Sequence, residues 1–461
     1  MGIVVSLMQT IVVPLIPNLP IMLSTNAANA SWVITVTLLA GAVITPIAGR
    51  LGDMFGKRLI LLLSLLLLTG GSIICALSDS LLPMVLGRGL QGLAMGAIPL
   101  GIGILRDELP REKMGSAVAT MSATMGVGGA IGLPASAAVA QFANWHTLFW
   151  GAAALGAISF AAVLFLLPRS SMRTPARFDF LGAAGLAAGL VALLLPVSKG
   201  STWGWDSLPT ISCFAAALVL LLLWGFHERR TASPLVDLRI SARPSVLFTN
   251  FASIAVGFSM YAMNLAFPQL LMAPASTGYG MGLSMLQAGL VLTPGGLMMM
   301  AISPVSARLS ARSGPKVTLI TGTAVIGAGY VLALVLNSQM WHLAMASMVI
   351  CGGIGLAYAA MPALIMGAVD QRETGAANGL NALMRSVGTA VSAAVTGVVL
   401  ASMSIMVGKV PVPTLAGFQM SFVLAIASAL VAIVLALFIP RAGKLARVSV
   451  VSTRESVSAK D

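Results

Sequence analysis

Fourteen apolar runs, each about as long as a helix must be to cross ~30 Å of hydrocarbon, dominate this 461-residue chain. They lie near 2–22, 31–49, 59–78, 81–104, 114–140 and 145–168, then near 180–198 and 207–226, and finally near 245–272, 283–307, 316–336, 341–366, 376–404 and 415–439. In a bilayer such segments satisfy their backbone N–H and C=O groups only as helices, so the runs predict an all-α integral membrane protein. Composition agrees: 58% of the residues are hydrophobic and 8% charged, too few charges to coat a soluble body of this size.

The net charge of +13 would point to nucleic acid in a soluble chain, but here the bases gather at the joints between runs. No nucleic-acid partner is expected; the partner is the lipid bilayer. With the N-terminus inside, 22 of the 26 Lys and Arg fall in cytoplasmic segments, Lys199 and Lys409 fall outside, and Arg88 and Arg385 fall within the membrane. Both termini are then cytoplasmic, in a multi-pass protein of the inner (plasma) membrane. A twelve-span arrangement without the pair near 180–226 keeps the same parity, but Trp203 and Trp205 beside a polar turn fit an interfacial belt and favour the pair. The run from Gly2 lacks a basic leader and is expected to be the first span itself. The organisation that follows is a six-helix bundle over 1–168, a linker with two extra spans over 169–244, a second six-helix bundle over 245–440, and a polar cytoplasmic tail over 441–461. Cys75, Cys213 and Cys351 are isolated in or beside apolar runs, without metal-ligand spacing, so neither disulfide, metal nor cofactor is expected.

The most distinctive joint is Gly49-Arg50-Leu51-Gly52-Asp53-Met54-Phe55-Gly56-Lys57-Arg58, an acid beside three bases in a glycine-rich stretch. We expect a charged turn that ends one helix, starts the next and locks them by charge-assisted hydrogen bonds. A weakened copy lies 258 residues on, where Pro46, Arg50, Leu51 and Gly56 recur as Pro304, Arg308, Leu309 and Gly314. Gly92, Leu93, Ala94, Ala97 and Pro99 likewise recur as Gly355, Leu356, Ala357, Ala360 and Pro362. Two echoes at nearly the same offset indicate two related halves, the construction of many secondary transporters.

These residues resemble the major facilitator superfamily. The stretch 49–58 is similar to the loop motif between that family's second and third helices, Leu86–Gly92 to its fourth-helix motif with a membrane-embedded Arg, and Gly126–Pro134 to its fifth-helix antiporter motif, with Gly128, Gly132 and Pro134 as the matching positions. Leu133 separates the Gly and Pro that the family pattern places together. With fourteen spans, the resemblance is to the EmrB/QacA-type drug:proton antiporters. It implies the major facilitator fold, with two six-helix bundles plus two extra linker helices, and proton-coupled export of small amphipathic compounds by alternating access. A dedicated exporter of one endogenous metabolite or self-made antibiotic is the alternative.

One departure bears on mechanism. Where proton-coupled members place an acid before Thr-Ile-Val in the first helix, this chain has Met8, and none of its 13 acids lies within an apolar run. An intramembrane acid is the usual proton carrier and partner of a cationic drug, so a neutral, amphipathic or anionic substrate is expected, with the proton as coupling ion. Arg88 would sit about 10 Å deep and Arg385 about 14 Å deep, each facing a polar cavity or bonded to a neighbour such as Gln91 or Asn381. Gln9, Thr10, Tyr261, Asn264, Gln269, Tyr358 and Asn381 would line that cavity or serve as interhelical glue. Asp53 is the residue expected to act at an inner gate, together with Gly49, Arg50, Gly56, Lys57, Arg58, Arg308 and Gly314: it would accept from the amides at a neighbouring helix start and from Arg50 or Arg58. A membrane enzyme would need an acid or His at depth, and neither is present. The expected protein is a monomeric transporter and not an enzyme.

Overall fold

The computed structural model describes residues 1–12, 15, 19–168, 177–370, 373–407 and 410–440, apart from a few side chains, Gln9 among them. The proposed tail over 441–461 lies outside the described residues. Fourteen helices carry the architecture: α1 (Gly2–Thr10), α2 (Trp32–Phe55), α3 (Lys57–Ala76), α4 (Leu81–Glu108), α5 (Arg111–Phe142), α6 (His146–Leu166), α7 (Phe180–Trp203), α8 (Leu208–Arg230), α9 (Pro244–Met272), α10 (Met285–Ser313), α11 (Pro315–Val335), α12 (Met340–Met366), α13 (Thr374–Ser402) and α14 (Leu415–Leu437). Among the described residues thirteen of these, α2 to α14, are long and apolar enough to cross a membrane.

The exception corrects the expected first span. Instead of one helix over 2–22 the chain forms α1 and a separate short helix, Leu19–Met22. The sequence supplies a reason: inside a helix Pro14 and Pro17 would each remove a donor and clash with the preceding turn, whereas Pro20 falls in the first turn of the short helix, where proline is tolerated. Prolines inside α2, α5, α7, α9, α10 and α12 are tolerated because adjacent helices cover the freed backbone groups. Helix starts follow local chemistry: Asp179, Ser207 and Thr414 cap α7, α8 and α14, and Ser284 forms a capping box with Gln287 at α10. Among the described residues, the one departure from all-α structure is a hairpin between α13 and α14, β1 (Ser404–Val407) with β2 (Val410–Pro413), in antiparallel register Ser404↔Pro413.

Two large apolar cores form. One is built from α1 to α6, with Leu65, Leu68, Leu100 and Phe149 at its centre; the other from α9 to α14, with Phe267, Tyr330, Phe418 and Phe422 in edge and tilted ring contacts. The same packing recurs in each half. Gly92 of α4 lies against the backbone of α2, and its echo Gly355 of α12 lies against the backbone of α10. Across the seam, α2 packs on α13 and α5 packs on α10. The extra pair α7–α8 lies beside the first of these contacts. Leu186, Leu190 and Leu194 form a stripe on α7 that packs with Leu39 and Ala42 of α2 and with Leu380 and Leu383 of α13. Leu235 and Val236, in the segment after α8, join that cluster, so this connection is docked against the bundle.

Candidate functional site

The stretch 49–58 is not a turn. Gly49 to Phe55 form the end of α2, Gly56 alone breaks the helix with φ 106°, and Lys57 starts α3. Only glycine adopts that backbone conformation at little cost, and Gly314, its echo between α10 and α11, has φ 86°. The repeat is therefore conformational as well as sequential.

Lengthening α2 carries Asp53 to the far side of the seam. Its Oδ1 accepts from the Gly375 N–H at 3.2 Å and its Oδ2 from the Ala376 N–H at 2.9 Å, in the first turn of α13. Those amides have no partner inside their helix, and the positive end of the helix dipole favours a carboxylate there. The approach depends on missing side chains: a Cβ on Gly49 would lie 2.3 Å from the Gly375 carbonyl oxygen, and one on Gly375 would lie 2.7 Å from Asp53 Oδ1. Asp53 is 2% exposed.

The cationic partner differs from the expected one. Lys57 Nζ lies 3.7 Å from Asp53 Oδ1, and also donates to Asp107 Oδ2 at 2.7 Å near the end of α4, while Arg50 acts on Asp53 through its charge. Lys57 is 2% exposed, and Asp107 Oδ1 has no hydrogen-bond partner among the described residues. Two buried carboxylates thus share one ammonium. The sequence separates Lys57 from Asp107 by 50 residues, so no local spacing could have paired them.

Arg106, one residue before Asp107, works at the same place. Its guanidinium donates to Thr374 Oγ1 and, at 3.2 Å, to the Val369 carbonyl, while Arg243 donates to the Ala368 carbonyl at 2.6 Å. Cations therefore sit where α12 ends and an anion where α13 begins, each matching the sign of the local backbone dipole. Glu373 lies between them, and burial together with repulsion from Asp237 raises its pKa above the ordinary glutamate value.

The second copy does none of this. Arg308 is exposed and has no hydrogen bond or ion pair among the described residues, and Ala311 and Pro315 stand where Asp53 and Lys57 stand in the first half. What survives is the last base. Arg58 donates to the Leu164 carbonyl at the end of α6, and Lys316 to the Leu437 and Ile439 carbonyls at the end of α14.

The two membrane-embedded arginines have different fates. Arg88 is 2% exposed and donates to the Val33 carbonyl, the Met8 carbonyl and Gln91 Oε1, and Gln91 in turn donates to Ser72 Oγ. Arg88 and Gln91 thus lie sealed inside the first half rather than on a cavity. Arg385 is half-buried, with its guanidinium 4.6 Å from the Tyr358 ring centre.

The remaining candidates divide likewise. Asn381 is buried and donates to Asn250 and Ser253, joining α13 to α9. Tyr358 is 3% exposed, whereas Tyr261 and Gln269 are half-buried and Asn264 is exposed. Thr10 is half-buried and donates to the Leu7 carbonyl; the Gln9 side chain lies outside the described residues. Gly128 and Gly132 let α1 approach α5, a Cβ at Gly128 falling 2.5 Å from the Ile3 carbonyl oxygen, and Pro134 lies against Gly289 of α10. That motif is a packing surface on both sides of α5.

Comparison with known proteins was consistent with this geometry. The sequence profile of the Major Facilitator Superfamily matches residues 1–393 and 249–458. The multidrug resistance protein Stp of Mycobacterium tuberculosis is 26% identical over 390 residues, 84% of this chain and 72% of its own length. The multidrug transporter protein MdtP of Bacillus subtilis is 24% identical over 362 residues, 78% of this chain and 66% of its own length. The uncharacterized MFS-type transporter YvkA of Bacillus subtilis is 27% identical over 379 residues, 81% of this chain and 83% of its own. Among solved structures, the human organic anion transporter MFSD10 (TETRAN) superposes with a TM-score of 0.65 over 94% of this chain and 97% of that one, at 17% identity, a likeness of fold alone.

Proposed function

Because this chain belongs to the major facilitator superfamily, we propose that it is a secondary exporter of small amphipathic compounds, working by alternating access and coupled to protons. It is a multi-pass membrane transporter and not an enzyme. The multidrug names of two relatives bring drug or antibiotic efflux to this chain as the leading reading, and the added pair α7–α8 favours the fourteen-helix EmrB/QacA-type branch. The membrane is the plasma membrane, with the basic ends of the helices inside.

The observation that carries the proposal is the bond from Asp53 to the start of α13. It ties the bundle over 1–168 to the bundle over 245–440 at their basic ends, so the inward-facing state forms only when it breaks. Lys57 links this contact to Asp107, and one proton taken up by the two carboxylates would leave a single anion for the ammonium and release α13. Coupling then needs no acid in the membrane core.

The test is accumulation of amphipathic dyes in cells lacking and cells overproducing the chain, with and without an uncoupler. Lower accumulation on overproduction, abolished by the uncoupler, is the expected result. Equal accumulation of every dye in the two strains would sink the efflux reading.

A further inference from the structure

Arg385 is a charge in search of a partner. It lies eleven residues inside Thr374, about 16 Å along α13, at a depth where an unpaired Arg is costly. Arg88 meets that cost with three hydrogen bonds. Arg385 makes no hydrogen bond or ion pair with any described residue; its contact is the Tyr358 ring. No Asp or Glu occurs in α9, α12 or α13, so neither the helix that carries Arg385 nor the two it touches bring a counter-charge; the acids of the other walls, Asp53 of α2 and Glu112 of α5, lie at the cytoplasmic ends of their helices.

The surroundings hold the side chain in place and leave its donors unspent. Gly257 of α9 provides the notch it crosses: a Cβ there would lie 3.2 Å from Arg385 Cγ and 2.3 Å from its carbonyl oxygen. Tyr358 is fixed by its hydroxyl on Met260 Sδ of α9. From the other half, Ser122 of α5 donates to the Tyr358 carbonyl at 3.1 Å, which places the pair at the seam between the two halves. Met125, one turn along α5, packs against both cores, so the adjoining surface is apolar and adaptable. Tyr261 and Asn264 share the face of α9 that begins at Gly257, and both retain solvent exposure. A guanidinium resting on a ring keeps its planar N–H fork for a planar or tetrahedral oxyanion.

We infer that Arg385 is the anion-binding residue of the transport site, and that the substrate is an organic monoanion, a carboxylate or sulfonate on an apolar body, seated between α5, α9, α12 and α13. The inference rests on the export reading and narrows it to one charge class. Tyr358 orients the guanidinium; the methionines take the apolar body.

The experiment uses the full chain in nanodiscs and three matched probes: naphthalene-2-sulfonate, 2-methoxynaphthalene and 2-naphthyltrimethylammonium. Equilibrium dialysis should show the sulfonate bound at least tenfold more tightly than the other two. Arg385→Gln should erase that preference, Arg385→Lys should keep part of it, and Tyr358→Leu should weaken sulfonate binding alone. Preference of the wild-type protein for the cation, or equal sulfonate binding by a folded Arg385→Gln, overturns the inference even if cells still export dyes. Arg385-dependent sulfonate binding without any export from cells upholds the site and defeats the export reading instead.

Discussion

Replacing Asp53 with Asn changes one atom of the latch, and the structure sets the size of the effect. The carboxylate accepts from two backbone amides, one at each oxygen, while an amide side chain offers one oxygen and turns an N–H₂ toward the second donor. One charge-assisted bond, worth about 1.5–3 kcal/mol, is lost, and the other weakens by about 1 kcal/mol to a neutral one. The closed contact therefore loses about 2.5–4 kcal/mol relative to the open one, a shift of roughly 60- to 700-fold in their ratio. Hydrogen–deuterium exchange reads this directly, because Gly375 and Ala376 lose their acceptor: a peptide over 373–380 should exchange faster in Asp53→Asn while peptides from the core of α12 do not change. Export should collapse, with substrate binding largely kept, because no cavity contact is altered. Unchanged exchange at the start of α13 together with normal efflux would refute the reasoning.

The same contact can be broken sterically. Gly375→Ala puts a methyl 2.7 Å from both the Gly49 carbonyl oxygen and Asp53 Oδ1, and should reproduce the export defect with the charge intact; full efflux by this variant would count against a tight seam. Arg88→Ala removes the donor from two buried carbonyls and from Gln91, so it should cost on the order of 3 kcal/mol of stability, read as a lower thermal midpoint and lower yield, rather than a selective transport defect. If a monoanion leaves in exchange for one proton, each cycle moves two positive charge equivalents inward and draws about 4.6 kcal/mol per 100 mV. Proteoliposome export should then respond steeply to an imposed potential; electroneutral exchange would rule out that stoichiometry.

What the sequence made legible was whatever depends on local period and composition. Runs of apolar residues located the helices, and the 258-residue offset located two halves whose equivalents Gly56 and Gly314 share a backbone conformation. The proline series at 14, 17 and 20 was equally visible, yet counting apolar residues alone read a continuous span there. The latch was half legible. A carboxylate at a helix end advertises an amide partner, but the identity of that partner, 322 residues away, depends on the crossing of α2 and α13. Lys57 does not stand out from Arg50 and Arg58 in the sequence, because a turn leaves all three within reach of Asp53. What selects it is the break at Gly56, which ends α2 just after Asp53 and starts α3 at Lys57, so that the two side chains meet across the bend at 3.7 Å. Arg106 carries no distinguishing pattern, since it donates to the Val369 carbonyl and the Thr374 hydroxyl, more than 260 residues away.

The pair α7–α8 breaks the symmetry that the repeat would otherwise impose. Because α7 touches both α2 and α13, one seam between the two halves has a third helix across it, with the same leucine stripe against both walls. The opposite seam, α5 against α10, has only α12 of the second half against both its walls, and no helix from outside the two halves packs there among the described residues. Gly126 meets the Met299 side chain there, and Gly289 meets the Pro134 backbone. A solute already dissolved in the bilayer would thus meet a helix belonging to neither half on one flank and the two halves alone on the other, an asymmetry toward the surrounding lipid that neither half possesses by itself.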